Sequence, residues 1–310
     1  MKVVSFYRFL DLQDPRATCT ALQSLCDENG LLGTILVANE GVNGTIAGSH
    51  DAVQAVFTWL EAKLRLESPI EARWTEAGEA PFRRVRVRLK KEIVALGRPD
   101  IRPQDSTGKH ISPDEWNELI ENPDTLVIDT RNHYEIDVGS FPKAIDPGTD
   151  SFRQFPEFAE TLANTDRDRP VAMFCTGGIR CEKATALMLE LGFKDVNQLQ
   201  GGILNYLEVV PEKDNRWNGE CFVFDGRVAV DRDLAEGGYV QCHACRRPLS
   251  SEELKSPDYR EGVSCPWCIG DLDDERAERL EERRRQIELA RERGEKHIGA
   301  VLPKPKSSTV

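Results

Sequence analysis

Apolar and polar positions along this chain fall into two periods, one suited to strands and one to helices. Val3, Val4, Phe6 and Phe9 predict a strand over Lys2 to Phe9. From Pro15 to Asn29 the stripe Ala17, Ala21, Leu22 and Leu25 predicts a helix, ended by Gly30. Leu31 to Ala38 and Val42 to Ala47 read as two strands joined through N-E-G, a hairpin signal. Val53, Val56, Phe57, Leu60 and Leu64 form one face of a helix over Ala52 to Leu66. Strands follow around Ile70 to Trp74 and over Val85 to Leu89. The order β-α-β-β-α-β predicts a ferredoxin-like α+β domain over residues 1–97.

Gly97 to Gly108 has the composition of a linker. S-P-D-E at Ser112 to Glu115 offers an N-cap, a proline at the first helical position and a capping-box glutamate. Strands are predicted at Leu126 to Ile128, Val171 to Phe174 and Val196 to Leu199, the last followed by Gly201 and Gly202. Helices are predicted at Phe152 to Ala163 and through Ala184, Leu187, Met188 and Leu191, with Gly192 as the cap. The alternation predicts an α/β domain with a doubly wound parallel sheet over residues 104–212. Cys221 to Val230 then reads as a β-hairpin turning at D-G, within a small element over residues 218–270. Residues 271–310 read as a charged helix, Leu272 to Glu295, and a disordered tail. Glu275–Arg279, Glu281–Arg285 and Glu292–Lys296 are its i, i+4 pairs.

The length, 310 residues, calls for two or three domains. A formal charge of −12 argues against nucleic acid until its distribution is considered. Residues 101–220 carry 12 basic against 22 acidic side chains, so most of the excess lies in the middle. No apolar run approaches 18 residues and no N-terminal signal pattern is present, so a soluble, cytoplasmic protein without membrane contact is expected. Nine cysteines, an odd count with two C-x-x-C pairs, fit a reducing compartment.

The strongest chemical signal is C-T-G-G-I-R-C at Cys175 to Cys181. A buried strand delivers Cys175 to a loop of Thr176, Gly177, Gly178 and Ile179, and a helix follows at once. Unpaired N–H groups and the helix dipole put partial positive charge there, and Arg180 adds a full one, so the thiol should ionise readily. The plain alternative is a small buried cysteine. Cys181 could resolve an oxidised Cys175 or simply pack against the sheet. The frame C-x-x-G-x-R, carried by Cys175, Gly178 and Arg180, resembles the active-site loop of rhodanese domains, where the cysteine carries a persulfide. Four residues separate cysteine from arginine, one fewer than a tyrosine-phosphatase loop needs. Asp129, Arg131, Glu135, Gly139 and Ala144 resemble the family's first strand and loop, with Ser140 where histidine is frequent.

Two further patterns bear on ligands. Between Arg83 and Lys91 six of nine residues are basic. Alternation puts Val85, Val87 and Leu89 on one face and Arg84, Arg86, Arg88 and Lys90 on the other. Such a face suits a polyanion, or else it is balanced by carboxylates from elsewhere. Cys242-x-x-Cys245 and Cys265-x-x-Cys268, 19 residues apart, match a structural zinc ribbon; metal-free thiols or a redox pair are the alternatives. His243 then reads as a bystander or an RNA contact.

The whole layout resembles the tRNA uridine(34) hydroxylases, bacterial rhodanese-like proteins. The matching stretches are Leu36 to Gly48, Phe82 to Val94, Cys175 to Lys183 and Cys221 to Val230, within about residues 1 to 270. The resemblance implies oxygen-dependent hydroxylation of the wobble uridine at carbon 5, with molecular oxygen as co-substrate and Cys175 as the active-site cysteine. Thiolate addition to the electrophilic carbon 6 would make carbon 5 nucleophilic. The tRNA anticodon stem-loop would lie across Arg84, Arg86, Arg88 and Lys90, with Arg180 and the loop amides near the base. No flavin, haem or nucleotide motif is present, and no obligate protein partner is evident. A persulfide sulfurtransferase and a non-catalytic RNA-binding protein are the rival readings.

Overall fold

The computed structural model describes residues 1–66, 69–70, 72–78, 80–162 and 165–294. The expected tail, with Ala163, Glu295 and Lys296, lies outside the described residues. The chain forms two compact units, Met1–Gly237 and the residues from Gly238 onward.

The first half of the larger unit contains β1 (Lys2–Phe9), α1 (Pro15–Glu28), β2 (Leu32–Ala38), β3 (Gly41–Gly48), α2 (His50–Leu64), β4 (Ala72–Glu76) and β5 (Val85–Leu89). The strand order is β4-β1-β3-β2-β5. Four strands thus follow the split βαβ arrangement, and β5 extends the sheet by pairing parallel to β2. Alternation sends Val4, Phe6, Ile35 and Val37 beneath the helices, where they pack with Leu22, Val53, Val56, Phe57 and Leu60. The buried stripe of α1 is Thr18, Leu22 and Cys26, and Ala17 is exposed. An alanine contributes little apolar area, so the larger side chains set the rotation of the helix. On β5, Val85 and Val87 pack against this core, but Leu89 is 40% exposed, contrary to its expected place on the apolar face. It is the last residue of an edge strand, at the margin of the helical cover.

The second half is built from β6 (Lys109–Ile111), α3 (Pro113–Glu121), β7 (Leu126–Asp129), α4 (His133–Ile136), β8 (Gly139–Ser140), α5 (Phe155–Thr161), β9 (Val171–Phe174), α6 (Ile179–Glu190), β10 (Val196–Leu199) and α7 (Gly202–Val209). Its four-stranded sheet has the order β6-β10-β9-β7, all parallel. Along β9, Val171 and Met173 face α5 and α6, whereas Ala172 and Phe174 face α3 and α7. Helices therefore cover both faces, as a doubly wound sheet requires. Ser112 makes no backbone cap; its hydroxyl donates to Glu115 Oε2 at 2.7 Å, so the expected capping box does not form. The helix expected from Phe152 begins as a 3-10 turn, Phe152–Gln154, and α5 follows with a proline in its first turn.

β11 (Asn218–Gly219) pairs with β8, and β12 (Cys221–Phe222) pairs with β13 (Ala229–Val230). Asp225 and Gly226 do not form the expected two-residue turn. Residues 223–228 bridge the strands, Asp225 pairs with Arg227, and Val228 takes the positive φ. Cys221, Val223 and Val230 join the α3–α7 core. In the smaller unit, β14 (Val240–Gln241) pairs with β15 (Pro248–Leu249), and α8 (Asp274–Glu292) begins after Asp273, whose side chain caps Arg276 N at 2.7 Å. Glu275–Arg279 forms as expected, but Glu281 meets Arg260 and Arg284 instead of Arg285.

One buried cation ties the two halves of the larger unit together. Lys183 on α6 has no exposed surface and meets Glu40 Oε2 at 2.7 Å and Glu92 Oε2 at 2.8 Å. Glu40 accepts from Ile93 N, and Glu92 from Leu96 N and Gly97 N. The β2–β3 turn and the segment after β5 are thereby fixed to the helix that follows Cys175.

Candidate active site

Cys175 closes β9, and the residues after it turn sharply into α6. Gly178 is the N-cap at φ +98, a backbone region that L side chains rarely adopt. Its N–H donates to Cys175 Sγ at 3.1 Å. The loop is held from below by the start of α7, where Ile203 N and Leu204 N donate to the carbonyls of Cys175 and Thr176. A Cβ on Gly202 would lie 2.5 Å from the Cys175 carbonyl, so the Gly201-Gly202 pair allows this close approach. Thr176, Gly177 and Ile179 are half-buried; Cys175, Gly178 and Arg180 are buried.

Arg180 does not reach into open space. Its guanidinium grips Glu135 through both oxygens, at 2.6 and 2.8 Å, and also touches Thr176 Oγ1. Glu135 lies on α4 and accepts from Asn132 N as well. Beneath them Arg131, fully buried, pairs with Asp129 and stacks against Trp217 at 5.1 Å. Ser140 donates to Asp129 Oδ2 at 2.8 Å, which gives that departure from the rhodanese pattern a structural use.

Burial opposes ionisation of Cys175. A hydrogen bond from the Cys181 thiol, the charge of Arg180 and the N–H groups of residues 181 and 180 outweigh it, and the thiol is lowered to about 6. Cys181 moves the other way: burial, then its bond to Cys175, keep it protonated, and Thr130 Oγ1 lies 3.5 Å from its sulfur. The site thus separates a thiolate from a neighbouring thiol, the arrangement a nucleophile needs near neutral pH.

Residues 1–93 match the UPF0176 acylphosphatase like domain, and residues 112–208 match the rhodanese-like domain. Among solved structures, a rhodanese-related protein of Thermoplasma volcanium is 25% identical, covers 33% of this chain and 95% of its own, and superposes with a TM-score of 0.28. A tRNA uridine(34) hydroxylase of Mesorhizobium japonicum is 50% identical over 301 residues, 97% of each chain. One from Acaryochloris marina is 49% identical over 299 residues, 96% of each. The chain belongs to the tRNA uridine(34) hydroxylase family.

In this hydroxylase-family chain the other predicted site residues lie apart from Cys175. Arg84, Arg88 and Lys90 are exposed and Arg86 is half-buried, all on or beside the edge strand β5. None of the four side chains makes a hydrogen bond or ion pair among the described residues. Partial desolvation, then the like charges of Arg84 and Arg88, lower the pKa of Arg86. The register links this strand to the loop. Tyr7 pairs with Asn43, Asn43 with Leu36 and Leu36 with Arg88, so Arg88 and Tyr7 occupy one row of the sheet, about 14 Å apart at the usual strand spacing.

Cys242, Cys245, Cys265 and Cys268 come together in the smaller unit, all four sulfurs within 4.8 Å of one another, and could hold a metal ion. Sequence reasoning missed Tyr7, Glu182 and His110. Tyr7, in the N-terminal half, donates to Glu182 Oε1 at 3.0 Å, on the first turn of α6. A tyrosine inside an ordinary strand pattern carries no local signal of such a contact. It also missed that Glu135 is the partner of Arg180, although the E in the D-x-R, E, G, A series marked the position.

Proposed function

We propose that the chain is a tRNA-modifying oxidoreductase that hydroxylates carbon 5 of uridine 34, with Cys175 as nucleophile. One observation carries this reading: a thiol lowered to about 6 stands at a rhodanese-type loop in a chain half identical to named tRNA uridine(34) hydroxylases. The Cys175 thiolate adds to carbon 6 of the ring, and the electron pair displaced from the double bond makes carbon 5 nucleophilic toward the oxidant. Molecular oxygen is the co-substrate in this reading. One oxygen atom ends on carbon 5; the other leaves as water, with two electrons and two protons from an external reductant. Elimination of Cys175 then restores the double bond.

The anticodon stem-loop would lie across β5, with Arg84, Arg86, Arg88 and Lys90 on the phosphates and uridine 34 splayed toward the loop. The shared sheet row of Arg88 and Tyr7 supports this path. Residues 1–97 would then bind RNA and residues 104–212 carry the chemistry. Arg180, held by Glu135, would steady the thiolate instead of contacting phosphate, while the half-buried Thr176, Gly177 and Ile179 offer backbone to the base. A cytoplasmic location suits nine cysteines of which none forms a disulfide. No helix among the described residues is long and apolar enough to cross a membrane.

The four-cysteine cluster fits structural zinc. Tetrahedral Zn–S bonds of about 2.3 Å set sulfur–sulfur edges of about 3.8 Å. Cys245–Cys265 and Cys265–Cys268 measure 3.7 and 3.6 Å. Zinc there would hold the smaller unit together, and metal analysis of protein purified without chelator should find about one ion per chain.

The function is tested in a deletion strain complemented with the parent or with Cys175→Ser, grown under heavy oxygen gas. High-resolution mass spectrometry of wobble nucleosides should find labelled 5-hydroxyuridine only with the parent. A sulfur-bearing nucleoside would establish the sulfurtransferase instead, and an unchanged nucleoside profile on deletion would leave only RNA binding.

A further inference from the structure

The hydroxylation read above ends with an elimination, and that step needs a base. Arg180 is protonated at any working pH, and Cys181 is kept protonated by burial and by its thiolate neighbour. A different set of groups reaches the loop from its other side. A Cβ placed on Gly178 would lie 2.9 Å from Tyr7 Oη, so the phenol sits against the residue whose N–H holds Cys175 Sγ. Tyr7 Oη donates to Glu182 Oε1 at 3.0 Å, and His110 Nε2 lies 2.9 Å from the same oxygen. Glu182 Oε2 accepts from Thr107 Oγ1 at 3.0 Å and Gln198 Nε2 at 3.2 Å, so the carboxylate is fixed on both oxygens. The side chain of Glu182 is 10% exposed and that of His110 is 43% exposed. The chain of groups therefore leads from the buried loop outward to solvent.

We propose that Tyr7, Glu182 and His110 form a relay that takes the proton from carbon 5 of the ring as the Cys175 thiolate departs. The C5–H bond breaks, and its electron pair forms the C5–C6 double bond. The C6–Sγ bond breaks and its pair returns to sulfur. The proton arrives on Tyr7 Oη as the phenol's own proton passes to Glu182 Oε1; His110, having given its own Nε2 proton to water, accepts that proton from Glu182 at Nε2. No oxidant enters this step. Glu182 suits its place because, although burial opposes it, the hydrogen bond and charge of His110 keep its carboxylate below the usual range. Tyr7 remains a neutral phenol, its ionisation opposed by burial and then by Glu182 and Cys175. The N-terminal half thereby supplies a catalytic residue to the rhodanese loop, and neither half holds a complete site.

The test uses full-length protein and a substrate tRNA, quenched at intervals and resolved on a denaturing gel that retains covalent protein–RNA adducts. Tyr7→Phe should form the Cys175 adduct at the parental rate and release it about a hundredfold more slowly, so that adduct accumulates. Its tRNA affinity and Cys175 alkylation midpoint should match the parent. Glu182→Gln, which keeps the hydrogen bond but cannot take the proton, should also accumulate adduct. Parental turnover in Tyr7→Phe overturns the relay. If Tyr7→Phe loses tRNA binding, Glu182→Gln decides: adduct supports the relay, and parental release overturns it. A parent that yields a sulfur-bearing nucleoside would instead refute the hydroxylase reading on which the relay rests.

Discussion

The reactive loop and the edge strand β5 treat charge in opposite ways. Around Cys175 the buried cations among the described residues are matched: Arg180 by Glu135, Arg131 by Asp129, Lys183 by Glu40 and Glu92. On β5 four cations stand together with no partner among the described residues. Charges that a fold uses for its own geometry are buried and paired, since an unpaired buried ion costs several kcal/mol. Charges left on a surface to repel one another mark where something anionic arrives. We read the loop as the proposed seat of chemistry and the strand as the proposed seat of a polyanion.

That contrast can be broken at either end. Cys175→Ser should remove hydroxylation by about a thousandfold or more while leaving tRNA affinity intact, measured by nucleoside analysis alongside a binding titration. Glu135→Gln leaves Arg180 buried without its counterion and should cost about 3–5 kcal/mol in denaturant unfolding. The same change removes a negative charge near the thiolate, so the Cys175 midpoint should fall; a rise would show that Arg180 does not act on the sulfur. Replacing Arg84, Arg86 and Arg88 together by Gln should leave unfolding within about 0.5 kcal/mol per site. It should also weaken tRNA binding and flatten its salt dependence by about one unit of slope per lost contact. Parental binding at several salt concentrations would make β5 an ordinary charged face. The smallest effect belongs to Cys181. Cys181→Ala should raise the Cys175 midpoint by removing a donor, whereas Cys181→Ser should keep it. Full turnover of Cys181→Ser over repeated cycles would end any resolving role.

Contiguity decided what could be read ahead of the structure. The reactive loop was legible because strand, glycines, arginine and helix are adjacent in the chain. The two C-x-x-C pairs were legible because metal ligation constrains spacing. Partners distant in sequence were not. Tyr7 meets Glu182, and Lys183 meets Glu40 and Glu92, only after two domains dock, and no periodicity encodes that docking. The α1 stripe and Leu89 were misplaced because helix rotation and strand ends are set by neighbours, not by local pattern. The short β12–β13 hairpin departs from its D-G signal because the Asp225–Arg227 pair and Val228 shape the turn.

In the proposed site the hydrogen bond from Cys181, the charge of Arg180 and the loop N–H groups outweigh burial and keep Cys175 a thiolate at neutral pH. Site-resolved alkylation tests it, with the peptide carrying Cys175 quantified by mass spectrometry across a pH series on the folded full-length protein. Because the thiolate is the reactive form, the rate should climb as pH rises through the thiol's pKa and level off above it. A midpoint near 6 is expected. A midpoint near the free-thiol value of about 8.5 would contradict it.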